Sequence, residues 1–193
     1  MNQTKTSGEA VALEAIQRWV QRAVIGLNLC PFAKGVEVKG QVHYAVSRAN
    51  TTEELLSDLR QEIEGLLAID SDIRDTSLLI VPGILGNFLD FNDFLTECDD
   101  LLCELDLDGV LQIASFHPDY QFAGTVFDDL GNYTNRAPYP TLHLLREDSI
   151  DRAVASFPDP HTIYENNIRK LGQLGKDGWV QLNVGPAVSG GDS

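Results

Sequence analysis

The chain has 193 residues, 43% of them hydrophobic, with 29 acidic against 14 basic side chains and a formal net charge of −15. That length suits one substantial core rather than two independent domains, so residues 1–193 are read as a single globular domain with frayed ends at 1–8 and 186–193. Between Arg74 and Arg136 there is no Lys or Arg but there are 12 carboxylates, eight of them from Asp90 to Asp108, which would repel a phosphate backbone and argues against nucleic-acid binding.

No apolar run reaches bilayer-spanning length, and MNQTKTSGEA carries no apolar signal region, so a cytoplasmic protein without membrane contact is expected. Three cysteines in such a chain read as reduced thiols. Cys98 and Cys103 lie about 7.5 Å apart along a predicted helix and on different faces, so they should not bridge.

Along the chain, Leu13, Ile16, Val20, Ala23, Val24 and Leu27 recur at helical spacing and predict an amphipathic helix from about Glu9 to Leu27, weakened by Gly26 and Asn28. Val42 to Ser47 predicts a strand. Thr51 with Glu54 is a capping-box signature, opening a helix whose buried stripe is Leu55, Leu59, Ile63, Leu66 and Leu67. Ser77 to Val81 predicts a second strand, stopped by Pro82 and Gly83; a strong helix follows from Phe88, then a third strand over Leu111 to Phe116. Thr141 to Leu145 predicts a fourth strand and Ser149 to Phe157 a short helix. Asp159 before Pro160 signals another helix start, with Tyr164, Ile168, Leu171 and Leu174 as its apolar face. WVQLNV, residues 179–184, alternates as an edge strand would. This order predicts an α/β or α+β sandwich with a mixed sheet of four to five strands and helical crossovers. In such sheets ligands collect beyond the carboxyl ends of the strands, where the loops after Val81 and Phe116 would begin.

The stretch from His117 to His143 holds most of the reactive side chains and is the expected functional loop. Connections this long without periodicity are usually functional or disordered, and five aromatic residues with three prolines favour order. His117 and Asp119 stand just past a strand end, a position suited to an acid/base imidazole oriented by a carboxylate. With Asp128, Asp129 and His143 the same pair could begin a metal site, but no HExxH or CxxC spacing supports one and no metal is assigned. A turn in which Asp119 bonds its own backbone is the structural alternative. Asn132, Tyr133, Asn135, Arg136, Tyr139 and His143 form the expected substrate-binding set. Arg136, the lone Lys or Arg between Arg74 and Arg146, either holds a carboxylate or phosphate or pairs internally with Asp128 or Asp129.

Cys30 precedes Pro31 in LNLCPFA. If Pro31 opens a helical turn, the helix end would activate Cys30 as a nucleophile; otherwise it is a small buried hydrophobe. GxGxxG, the P-loop and GxSxG are absent, so the sequence names no cofactor.

The blocks LNLCPFA, SFHPDYQFAGT and NRAPYPTLHLLRE resemble the bacterial family catalogued as domain of unknown function 1415, over most of residues 9 to 175. The resemblance implies a bacterial single-domain protein and carries no activity or catalytic residue with it. On residue chemistry the expectation is a cytoplasmic small-molecule enzyme, a hydrolase or group transferase acting on an anionic substrate, with His117 as acid/base, Asp119 as its orienter, Arg136 as anion clamp and Cys30 as nucleophile. The competing reading is a non-catalytic protein that docks a basic partner through the acidic helix 90–108.

Overall fold

In the computed structural model, which describes residues 2–155 and 162–185, four strands form one sheet. They are β1 (Val42–Val46), β2 (Thr76–Ile80), β3 (Leu111–Phe116) and β4 (Thr141–Arg146), in the order β1-β2-β4-β3. β1 and β2 pair in parallel, with Tyr44 beside Leu78. β4 runs antiparallel to both its neighbours, placing His143 between Leu78 and Ala114. The architecture is α+β with a mixed sheet, and β1, β2 and β3 all point the same way. Ile80 and Phe116 are both registered to Thr141, so the loops that follow β2 and β3 leave from one edge of the sheet.

The helices arise where the sequence signals them. α3 (Thr52–Leu67) begins at Thr51, whose hydroxyl accepts the Glu54 N–H at 3.2 Å, while the Glu54 carboxylate takes the Asn50 N–H at 2.7 Å. Leu55, Leu59, Ile63 and Leu66 are fully buried and Leu67 is exposed. At 100° per residue, Leu66 lies about 20° from Leu55 and Leu67 about 120° away, so the stripe closes on Leu66 alone. α4 (Phe88–Glu104) is capped by the Asn87 side chain, which accepts the Leu89 N–H at 2.9 Å. Its Phe91, Phe94, Cys98, Leu101 and Leu102 face inward, and Cys103 faces out.

Alternation along the strands builds two apolar layers. Leu79, Val81, Leu142 and Leu144 meet α3 and α4 on one face. On the other, Leu78, Ile80 and Phe116 meet α1 (Asn2–Trp19), through Ala12, Ile16 and Trp19. Each large aliphatic side chain buried in this way contributes about 1.5–3 kcal/mol.

α1 starts at Asn2, so residues 2–8 are helical and not the frayed end expected of them. It continues into a π-helical turn, Val20–Ile25, where a β-carbon at Gly26 would collide with the Arg22 carbonyl oxygen. Asn28 at φ 51° ends the run. α2 (Ala33–Val38) is short, and α5 (Glu147–Ala155) follows β4 directly. The start signal at Asp159 and the end of the predicted helix at Phe157 lie outside the described residues. α6 (Thr162–Gln181) is broken at Gly175, φ 66°. It docks through buried Asn167 and Leu171, leaving Tyr164 and Ile168 exposed. Asn167 Nδ2 donates to the Leu29 carbonyl at 2.7 Å and Lys170 Nζ to that of Leu27 at 2.8 Å. The strand expected over residues 179–184 does not form: Trp179 to Gln181 finish α6, and the Trp179 ring packs edge-on against Tyr133.

Candidate functional site

The connection from β3 to β4 is a folded structure organised around Asn132, which is fully buried. Its Oδ1 accepts the Phe122 N–H at 3.0 Å and the Thr125 hydroxyl at 2.9 Å; its Nδ2 donates to the carbonyls of Val126 and Phe127 at 2.9 and 3.2 Å. One amide thereby ties residues 122–127 to the turn that carries it. Asp129 caps the short 3-10 turn Leu130–Thr134 by accepting the Gly131 N–H at 2.7 Å. Asn135 closes the loop onto β3, donating from Nδ2 to the Ser115 carbonyl at 3.1 Å while its own carbonyl accepts the His117 N–H.

Arg136 completes the arrangement from within. Its Nε donates to the Tyr120 carbonyl at 3.2 Å and its Nη2 to the Phe127 carbonyl at 2.7 Å. The Phe127 and Tyr133 rings lie 4.4 and 4.5 Å from the guanidinium carbon, within cation–π range. The alternative role for Arg136, an internal ion pair with Asp128 or Asp129, is not realised: Asp128 pairs with Lys176 at 2.9 Å and Asp129 serves as the cap. Asn132, Tyr133, Asn135 and Arg136 are thus brought together. Tyr139 is turned away into the layer facing α1.

The expected acid/base pair is arranged differently. His117 is fully buried between Phe88 and Phe91 of α4, at ring-centroid distances of 5.4 and 5.2 Å. Its Nδ1 accepts the backbone N–H of Asp119 at 3.0 Å, so the proton resides on Nε2, which donates to the Leu85 carbonyl at 3.1 Å. Both nitrogens are committed. It is the backbone of Asp119, not its carboxylate, that orients the ring, and the carboxylate points to solvent. Burial lowers the His117 pKa, opposed by the Leu85 bond and the Asp119 charge.

His143 faces the α1 side of the sheet beside Phe116, with a ring-centroid distance of 6.1 Å. Thr76 gives its hydroxyl proton to the Leu144 carbonyl at 2.5 Å, so it accepts from His143 Nε2 at 2.7 Å. Burial pushes the His143 pKa down to about 4. His117 and His143 therefore stand on opposite faces of one sheet and cannot share an ion. Among the described residues no group of three or more His, Cys, Asp or Glu is placed to hold a metal.

Cys30 is half-buried and three residues ahead of Ala33, where α2 begins with Phe32 as its cap; it does not occupy the helix end that would activate it.

Two further features lie outside the loop. A cleft of about 560 Å³ runs between α3 and α4, lined by Leu56, Arg60, Glu97, Asp100, Leu101 and Glu104, with Arg60 paired to Glu104 at 3.1 Å. A polar cluster sits under α3 at edge strand β1. There Glu62 pairs with Arg74, Arg74 Nε donates to Ser77 Oγ at 2.9 Å, His43 lies 3.8 Å from Glu62, and Ser47 donates to Asp58 at 2.6 Å. A cavity of about 190 Å³ opens beside Ser47, Asp58 and Glu62. The sequence reading missed this cluster. Its signal was available: His43 and Ser47 share a face of VHYAVS, and Asp58 and Glu62 are four apart on one helix. Ser77 is fully buried, so the cluster presents no accessible hydroxyl nucleophile there.

A family model matches residues 11–181, nearly the whole of the structure just described. The chain belongs to that family, Protein of unknown function (DUF1415). No curated protein and no solved structure matches it. In this DUF1415 protein, then, functional argument rests on the residues themselves. No helix among the described residues is long and apolar enough to cross a membrane.

Proposed function

We propose that this protein binds a small anionic ligand, with Arg136 as the receptor group. The observation that carries the reading is a guanidinium only 8% exposed with no carboxylate partner among the described residues. Taking a cation out of water costs several kcal/mol, and a partner charge is the usual compensation. Two carbonyl dipoles and two ring faces offset part of that cost without neutralising the charge. Nη1 makes no hydrogen bond and is not among the sealed, unpartnered atoms, so it keeps access to solvent and to an anion. Binding has more support than turnover, because an acid/base role for His117 would require a free ring nitrogen. We place the protein in the cytoplasm on its unpaired thiols.

The test is a titration of isotope-labelled protein with acetate and with inorganic phosphate. It follows the Arg136 Nε–H resonance, which the bond to Tyr120 should protect from exchange. A saturable shift confined to residues 118–136 is expected. Absence of saturation with either anion would reject the reading.

A second reading has its own observation, the α3–α4 cleft, where Glu97, Asp100 and Glu104 ring a floor containing Leu56 and Leu101. It would suit a basic peptide carrying an apolar residue. Binding of a lysine-rich peptide that weakens with salt and is lost in the triple variant E97Q/D100N/E104Q is the expected result; unchanged affinity in that variant would dispose of it.

A further inference from the structure

We infer that the ligand of Arg136 is a singly charged carboxylate attached to an apolar, flat body that seats on Phe127. The inference rests on the anion-receptor reading above and narrows it to a ligand class.

Three observations converge. The first is shape. With the Phe127 and Tyr133 rings 4.4 and 4.5 Å from the guanidinium carbon, an anion must approach through the slot that they leave open. A planar carboxylate fits such a slot in its own plane and can accept from Nη1. A tetrahedral phosphate would thrust oxygens out of that plane toward the ring edges. One wall of the slot is fixed, because Tyr133 is held edge-on by Trp179 at 5.1 Å.

The second is charge. Asp128 and Asp129 follow Phe127 directly in the chain, engaged with Lys176 and with the Gly131 N–H. Their negative charges raise the cost of a dianion more than that of a monoanion, since repulsion scales with the product of charges.

The third is apolar surface beside the charge. Phe127 is 51% exposed although its ring touches the guanidinium, and the adjacent Val126 is 71% exposed. A flat apolar body bonded to the carboxylate would cover ring surface that water otherwise wets.

Four probes decide the matter: acetate, benzoate, benzamide and inorganic phosphate, each titrated into the wild-type chain with the Arg136 Nε–H and the backbone amides of 118–136 as readout. Benzoate is expected to bind about tenfold more tightly than acetate, with benzamide and phosphate weaker than benzoate. Phe127→Ala should shrink the ratio of benzoate to acetate affinity, and the wild-type series stands without that variant. If acetate binds and benzoate binds no better, the apolar body is refuted while the anion receptor survives. Phosphate binding more tightly than benzoate would remove the carboxylate class in the same way. Benzamide equal to benzoate, or no response to any anion, would overturn both the inference and the reading beneath it.

Discussion

His117 donates from Nε2 to the carbonyl of Leu85, and Leu85 is a leucine held at φ 57°. A left-handed backbone is unfavourable for a branched aliphatic side chain, on the order of 1–3 kcal/mol, so the turn between β2 and α4 holds only because its surroundings fix it. The imidazole supplies one of those constraints and links the β2 turn to the start of the long loop through the Asp119 N–H. Replacing His117 with Phe would keep a ring against Phe88 and Phe91 while leaving the Leu85 carbonyl and the Asp119 N–H unpaired. A loss of about 2–4 kcal/mol is expected in urea unfolding. A variant as stable as the wild type would show that the two bonds carry no weight.

The half-buried imidazole on the other face sets a pH dependence. In the unfolded chain His143 titrates near 6.5, and in the folded protein near 4. Between those values the unfolded chain holds a proton that the folded state excludes. Stability is therefore complete well above pH 6.5 and falls as the pH drops toward 4, by about 3 kcal/mol. His43 and His117 are displaced in the same direction and add to the slope. Between pH 6.5 and 5, before the carboxylates protonate, His143→Gln should flatten the fall while keeping an N–H for Thr76. An identical slope in the variant, measured by thermal unfolding across that interval, would remove His143 as its source.

The cysteines make a separate case. Burial pushes the Cys98 thiol up to about 12, with Asp99 and Glu97 adding to the effect. Cys103 is exposed, and Asp108 raises its pKa by charge and by hydrogen bond. The thiolate is the reactive form, so Cys98 should alkylate only on unfolding, and Cys103 should label natively but more slowly than an unstructured thiol. Added salt should speed Cys103 by screening its acidic neighbours. Mass-spectrometric mapping of native labelling would expose an error if Cys98 were modified first or if salt left Cys103 unaffected.

The helices and strands could be read from periodicity because each repeats one environment along its length. Phe88–Glu104 and Leu111–Phe116 follow from apolar spacing and stop signals that nothing distant contradicts. WVQLNV was misread because its alternation is local, whereas Trp179 is placed by Tyr133. The loop was recognisable as ordered from its aromatic residues and prolines. The roles of its polar residues were not, because a side-chain amide or imidazole is defined by its partners. Asn132 and His117 look like ligand groups in one dimension, and in three their donors and acceptors are spent on backbone. Whether Arg136 pairs internally was equally illegible, because Asp128 and Asp129 are near it in sequence and only the structure shows them engaged by Lys176 and the Gly131 N–H.

Asn132 gives the sharpest test of this account of the loop. Its four hydrogen bonds reach Phe122, Thr125, Val126 and Phe127, and the residue is fully buried. Asn132→Ala should therefore strand the Phe122 N–H, at a cost of about 1–3 kcal/mol where relaxation does not let water in, and take one of two bonds from each of the Val126 and Phe127 carbonyls, which keep the Asp129 N–H and Arg136 Nη2. Relaxation is available here, since Val126 and Phe127 lie at the surface, so a net loss of about 2–3 kcal/mol is expected rather than the full sum. The damage should be local. Amide hydrogen exchange should accelerate over residues 118–136, while β2, whose five residues are all buried, keeps its protection. With the Phe127 carbonyl held by Arg136 Nη2 alone, the geometry of that bond is less fixed, and acetate should bind more weakly to the variant than to the wild type. Uniform acceleration across the sheet would mean that the loop and the core unfold as one unit. Unchanged exchange over 118–136 would mean that Asn132 does not organise the loop at all.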